Sequence, residues 1–320
     1  MPLYPFMHLF LVTLFTSTIM ALSSHQWIMV WLALELNMIS FIPLISSSSW
    51  FQESEASLKY LLFQALGSSL LLLGAINQTL PFLMPVGLSM KLGTAPFHFW
   101  FPAVMKSISW ASALLLLTWQ KITPMILLSL SFSTHTPLLM VLGTTSAVVG
   151  SLGGMIQSQF RPMLAYSSIG HMGWMLSMAP FSPSISLLYL FTYIMISIPI
   201  VWSSMLSKIE SAKKSGPTNT MTLFILFPLI ISLSGIPPLT GFFPKLLILM
   251  FLPTLMLVLP LLISSVINLS FYMNFFLTLF LSPTFTKKSN ISIYTPLPLS
   301  LLALFALLPL PVLLFLFPLL

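Results

Sequence analysis

The amino-acid sequence predicts an all-α polytopic membrane protein of about eleven transmembrane helices, on three observations. First, 58% of its 320 residues are hydrophobic and 5% charged, and its mean hydropathy is +1.05, where soluble domains carry roughly 25% charged residues. Second, a spanning helix needs about 20 mostly apolar residues to cross roughly 30 Å of hydrocarbon, and the chain divides into such stretches almost end to end. Third, its lysines and arginines fall in alternate loops. A β-barrel would need short stretches of alternating polarity. Segments such as 70–76 and 301–320 are apolar on every side, which excludes one.

Apolar runs bounded by Pro, Ser, Gly and charges place the spans at 5–22, 26–46, 57–78, 83–102, 109–130, 137–157, 162–180, 184–205, 221–252, 255–282 and 297–319. The first has no basic region before it and no small-residue cleavage site after it, so it reads as a retained helix rather than a signal peptide. Counting charges by loop checks the spans without using hydropathy. The even loops hold Glu53, Glu55 and nearby Lys59; Lys106; Arg161; Lys208, Lys213 and Lys214; and Lys287 and Lys288. The odd loops hold no lysine or arginine. Excess Lys and Arg mark the cytoplasmic side or its organellar counterpart. The N-terminus is therefore expected on the positive side and the C-terminus opposite.

Two spans are interrupted. The ninth is too long for one crossing and contains Ser234-Gly235-Ile236-Pro237-Pro238-Leu239-Thr240-Gly241, where prolines remove backbone donors and glycines relax the helix. The fourth breaks at Leu92-Gly93-Thr94-Ala95-Pro96, just after a lysine. Two Gly/Pro-broken helices five spans apart point to an inverted repeat with a site between its halves. Phe-Pro follows both breaks, at Phe101-Pro102 and Phe243-Pro244. Leu58-Lys59-Tyr60-Leu61-Leu62 and Leu187-Leu188-Tyr189-Leu190-Phe191 form a weaker pair at the same spacing. Because five is odd, the halves have opposite orientation. The expected organisation is one membrane domain over 1–320, with repeats at 1–132 and 133–282 and an added helix at 297–319.

Several chemistries are excluded. There is no cysteine, so disulfides, iron–sulfur clusters and thiolate metal sites are ruled out and redox chemistry is not expected of this chain. No pair of histidines or carboxylates has metal-ligand spacing, so no metal is expected. The net charge of +7 and pI near 9.7 belong to membrane topology, since no basic cluster sits in a soluble module that could hold nucleic acid.

What remains is a small set of charges inside apolar helices. Glu35 sits mid-span in Leu34-Glu35-Leu36-Asn37 and is the one carboxylate away from the loops; Lys91 and Lys121 lie near the middle of the fourth and fifth spans, and Lys245 in the second broken helix. A central charge costs roughly 2.5–3.5 kcal/mol, so the set costs on the order of 10 kcal/mol, comparable to a domain's whole stability. A structural Glu35–Lys91 pair with snorkelling lysines is the plainer reading, but one carboxylate cannot neutralise three mid-membrane lysines. Groups held out of water have perturbed proton affinities, and such sets mark proton paths. Should Lys91 move from Glu35 towards Lys121, the charge balance changes and a proton can be expelled, the coupled sites titrating as a group.

His98 and His171 lie deep in spans and are candidate relays, each weighed against simple interhelical hydrogen bonding. His8, His25 and His135 read as interfacial. The hydroxyl-rich stretches Ser46 to Ser49, Tyr166-Ser167-Ser168 and Ser264-Ser265 read as helix packing.

The motifs resemble those of the antiporter-like membrane subunits of respiratory complex I. The resemblance is carried by Leu34-Glu35-Leu36-Asn37, Lys59-Tyr60-Leu61 with Gln64-Ala65, the run from Lys91 to Trp100, Trp119-Gln120-Lys121, Gln157 to Arg161, Ala165 to Trp174, and Ser234 to Lys245. It implies a subunit of the mitochondrial inner-membrane arm that translocates protons, as part of an NADH:ubiquinone reductase but without a redox centre of its own. NADH, FMN, the iron–sulfur clusters and ubiquinone would belong to other subunits. Partners would be other membrane-arm subunits, including neighbouring antiporter-like ones, and lipids, with cardiolipin a candidate; nucleic acid is not among them. The resemblance makes Glu35 and Lys91 the coupling pair, Lys121 the central relay and Lys245 the end that exchanges with a neighbour or the intermembrane space, and it makes the positive side the matrix. Animal members look like the bacterial subunit without its first helices, which agrees with eleven spans.

The chain departs from the family at Ala103, where a glutamate is usual, and at Pro162, where a basic residue is usual; both read as loop positions. A cation/proton antiporter, or a purely structural member of the arm, would share the inverted repeat. The long motifs favour the proton-pumping subunit.

Overall fold

The computed structural model describes residues 5–46, 51–77, 79–131, 136–207, 220–237, 239–253 and 255–280. Every element among them is helical: α1 (Pro5–Ser23), α2 (Trp27–Ile45), α3 (Phe51–Ile76), α4 (Leu83–Leu92), α5 (Trp100–Ser107), α6 (Trp110–Leu117), α7 (Trp119–Ser131), α8 (Thr136–Ile156), α9 (Phe160–Met178), α10 (Pro183–Ser207), α11 (Thr220–Ser234), α12 (Phe242–Phe251) and α13 (Leu255–Phe280). Seven stretches are long and apolar enough to cross a membrane by length and composition, the pair α6–α7 counting as one. With α4–α5, α11–α12 and α9 they account for the first ten spans read from the sequence. The eleventh, 297–319, lies outside the described residues, as do Pro238, His135 and the loop lysines Lys208, Lys213, Lys214, Lys287 and Lys288.

Both Gly/Pro breaks lie where the sequence puts them. Gly93 closes α4 with φ 71° and ψ 36°, and Gly235 follows α11 with φ 83°. Only glycine takes that left-handed turn without strain.

Three points refine or correct these expectations. The fifth span stands as Trp110–Ser131, but within it α6 and α7 part at Thr118, whose backbone turns to φ −113° and ψ −72°. Its hydroxyl donates to the Leu114 carbonyl at 2.6 Å, the back-bonding by which threonine bends helices without Gly or Pro. Second, α3 starts at Phe51, ahead of the expected 57, because no breaker stands between. Glu53, Glu55 and Lys59 therefore ride on its opening turns rather than a loop. Lys59 Nζ pairs with Glu55 Oε1 at 2.6 Å one turn away, and Glu53 is buried, so Glu35 is not alone among withdrawn carboxylates. Third, Ala103 and Pro162 are helical, in α5 and in the first turn of α9, where proline costs little.

The centre of the bundle is α9, buried on nearly all sides from Phe160 to Met178. Its serines do not need partners from other helices, because Ser167, Ser168 and Ser177 each donate to the carbonyl three residues back, at 2.8, 2.6 and 2.8 Å. Its most extensive neighbour is α8. Small residues let the two backbones approach, as membrane helices require in place of hydrophobic attraction. A Cβ on Gly150 would lie 2.5 Å from the Gly170 nitrogen, and one on Gly173 2.5 Å from the Ala147 nitrogen.

Backbone atoms cannot yield as side chains can. Gly173→Val is therefore expected to destabilise the fold by about 1–3 kcal/mol or more, read as a lower thermal midpoint of the detergent-solubilised protein. A midpoint equal to wild type would show that the α8–α9 contact tolerates a wider spacing.

Candidate functional site

A carbonyl freed by a helix break inside a membrane has no water to bond and must find a donor within the protein. At the end of α4 the donors are neutral. The Ser89 carbonyl accepts from the Thr94 amide and hydroxyl, both at 3.1 Å. The Met90 carbonyl accepts from the Trp100 indole at 3.2 Å, and the Lys91 carbonyl from Gln64 Nε2 of α3 at 3.1 Å. The Lys91 ammonium is thus not needed as a cap, and its buried side chain turns to a cavity.

That cavity, about 20 Å³, is lined by Asn37, Tyr60, Gln64, Lys91, Gln120, Lys121 and Thr123, with Leu34, Phe101 and Leu116 among its apolar walls. A space of this size admits about one water. It joins two of the four predicted charges. Four polar atoms of its lining residues have no hydrogen-bond partner: Asn37 Oδ1, Gln120 Nε2, Lys121 Nζ and Thr123 Oγ1, where buried polar groups are normally satisfied. Lys121 is 2% exposed. Its Nζ lies between two aromatic rings, 5.1 Å from the Phe101 centroid and 5.0 Å from that of Tyr193, a cation–π setting. It stands in the first turn of α7, directly after the Thr118 break; the helix dipole is positive there and gives an ammonium nothing.

The second break is capped differently. Lys245 Nζ donates to the Ser234 carbonyl, the last of α11, at 2.6 Å, and lies 5.8 Å from the Trp174 ring. Here the lysine is the cap. The charges of both Lys245 and Lys121 reach the buried His171. Its Nδ1 meets the Tyr189 hydroxyl at 2.9 Å, its Nε2 has no partner, and its ring is 5.4 Å from that of Tyr193. His171, Tyr189, Thr192, Tyr193, Gly241 and Pro244 line a second cavity of about 10 Å³.

The remaining predicted residues lie farther out. Glu35 is half-buried on α2 beside the exposed Leu32 and Leu36. No ion pair joins it to Lys91, although its charge acts on Lys91 through space. His98, at the turn into α5, packs on Phe99 with centroids 4.2 Å apart and lies 6.2 Å from Tyr166. It lines neither cavity. Sequence reasoning quoted Gln64 and Tyr189 in motifs without giving either a role, and missed Tyr193. A signal existed for the tyrosines, which with Thr192 make a polar stripe at helical spacing on an apolar helix, and for Gln64, an amide in mid-span.

The chain is similar to known proteins in sequence and in fold. The family described as NADH:quinone oxidoreductase/Mrp antiporter, transmembrane, matches residues 24–79 and 75–271. The NADH-ubiquinone oxidoreductase chain 2 of Lumbricus terrestris is 39% identical over 287 residues, covering 84% of this chain and 85% of that one. A chain of respiratory complex I from Thermus thermophilus shares the fold at a TM-score of 0.81 and 22% identity, over 94% of this chain and 76% of its own. A chain of the Mrp complex from Dietzia sp. does so at 0.76 and 17%, over 85% and 59%.

The cap on Lys91 is open to test. Gln64→Leu removes the donor and strands a buried carbonyl, expected to cost about 1–3 kcal/mol. The readout is the thermal midpoint in detergent, and an unchanged midpoint would mean that the Lys91 carbonyl finds another donor.

Proposed function

Because the chain belongs to the NADH:quinone oxidoreductase/Mrp antiporter family, among the NADH-ubiquinone oxidoreductase chain 2 proteins, we propose that the charges within its apolar helices, Glu35, Lys91, Lys121 and Lys245, are the proton path of a complex I membrane-arm subunit. The protein is a multi-pass, proton-translocating subunit of that arm and works with its other subunits. NADH oxidation and ubiquinone reduction are carried out elsewhere in the complex, which holds FMN and the iron–sulfur clusters. This chain carries no redox centre and no cofactor. It lies in the mitochondrial inner membrane with its N-terminus in the matrix and the end of span 297–319 in the intermembrane space, a reading supported by the alternation of loop charges. The halves 1–132 and 133–282 form inverted repeats, each contributing one broken helix and one lysine beside it. Lipids, cardiolipin among them, cover the apolar outer faces.

One observation carries the path: Lys91 and Lys121 line the same small cavity, and Lys121 Nζ has no hydrogen-bond partner. A proton held on Lys91 while Glu35 is charged passes through a bridging water to Lys121 when that balance shifts, and His171 carries it on towards Lys245. His171 suits the relay because one ring nitrogen is held by Tyr189 and the other is unpaired. His98, apart from both cavities, is not on this route.

Lys121→Met keeps the length of the side chain and removes the exchangeable proton. It is expected to leave the complex assembled and to slow proton transfer through this subunit by about 100-fold or more. Proton uptake per NADH oxidised, in sealed vesicles holding the complex, measures it. Normal pumping by the assembled variant would sink the proposed path and leave the buried charges with a role in assembly.

A further inference from the structure

Between the two cavities stands one side chain that the sequence did not single out. Tyr193, 4% exposed on α10, presents its ring to Lys121 Nζ at 5.0 Å and to the His171 ring at 5.4 Å. Lys121 lines the first cavity and not the second; His171 and Tyr193 line the second and not the first. Resting on the proton-path reading above, we propose that the Tyr193 ring is the partition of that path, a positioning residue that keeps the Lys91–Lys121 chamber separate from the His171 chamber until it moves.

The geometry favours a partition over a proton relay. The Tyr193 hydroxyl lies against Ser168 of α9, while Lys121 meets the ring itself, whose π face attracts a cation but takes up no proton. The other wall of Lys121 is Phe101, which has no hydroxyl at all. Two rings therefore hold the lysine in place, one facing each chamber. An ammonium so held has lost contact with water on the His171 side, which is what prevents a proton from leaking across when no energy is supplied. Passage requires the ring to swing aside. The neighbours decide how easily it can: Tyr189 is engaged by His171, whose ring also packs on Tyr193. The swing is thus tied to the positions of α9 and α10 and belongs to a conformational step.

The test uses the assembled complex in sealed vesicles, with two readouts: protons moved per NADH oxidised, and passive decay of an imposed pH gradient without NADH. Tyr193→Leu removes the ring. It is expected to keep NADH oxidation, lower the proton yield about twofold and speed the passive decay; Tyr193→Met, of similar bulk and greater flexibility, serves where the leucine variant does not assemble. Tyr193→Phe keeps the ring and is expected to match wild type in both readouts. A tight, fully coupled leucine or methionine variant overturns the partition, and so does an uncoupled phenylalanine variant, which would move the function to the hydroxyl. Lys121→Met in the same vesicles tells the two readings apart. Normal pumping there overturns the path itself, whereas lost pumping there beside a fully coupled Tyr193→Leu overturns the partition alone.

Discussion

A backbone carbonyl inside a membrane must have a donor, and the rest of this structure follows from how that demand is met at its helix breaks. A continuous helix satisfies itself and leaves nothing over for chemistry. Breaking one opens room for a buried lysine but strands the carbonyls of the last turn. At α4 the stranded groups go to Thr94, Trp100 and Gln64, all neutral, and Lys91 is left to face a cavity. At α11 the stranded Ser234 carbonyl takes Lys245 itself. Two breaks of similar sequence thus leave their lysines in different states, one available and one engaged. That asymmetry fits a path with a middle and an end.

The same economy governs the cations. Three buried ammonium groups with no carboxylate in contact among the described residues would be hard to sustain if each were bare. None is bare in the same way. Lys245 has a carbonyl and the Trp174 face, Lys121 two aromatic faces, and Lys91 the more distant charge of Glu35. Each arrangement is weaker than a hydrogen-bonded ion pair. A proton carrier benefits from that weakness, because a group locked in a strong pair does not release its proton, while one with no support at all never takes it up.

The legible and illegible parts of the sequence divide along physical lines. Gly93 and Gly235 announce their breaks because no other residue takes a left-handed turn so readily, and apolar length announces the spans. Charges in apolar runs stand out for their cost, so Glu35, Lys91, Lys121 and Lys245 could be named without coordinates. The break at Thr118 could not, because threonine is ordinary in membrane helices and bends them only when its hydroxyl turns back on the preceding turn. Gln64 stood in a motif without a role for a related reason: its value comes from a carbonyl 27 residues away in sequence. Tyr193 looks like any aromatic on an apolar helix until Lys121 and His171 are found on either side of it. Contacts between distant elements, not residue types, carry that information.

These separations also bear on where the work is done. Moving one charge against 100 mV costs about 2.3 kcal/mol, and the chain has no cysteine with which to hold an iron–sulfur cluster. The cavities are too small for a standing column of water, so passage needs side chains to rearrange, and whatever displaces them must act from outside. Glu35 is half-buried at the rim of the bundle, beside the exposed Leu32 and Leu36 of α2, and its charge still reaches Lys91. A neighbouring subunit that alters the charge or cover of Glu35 would be felt first by Lys91, then through the shared cavity by Lys121. Energy arriving at that rim would thus order the steps beyond it.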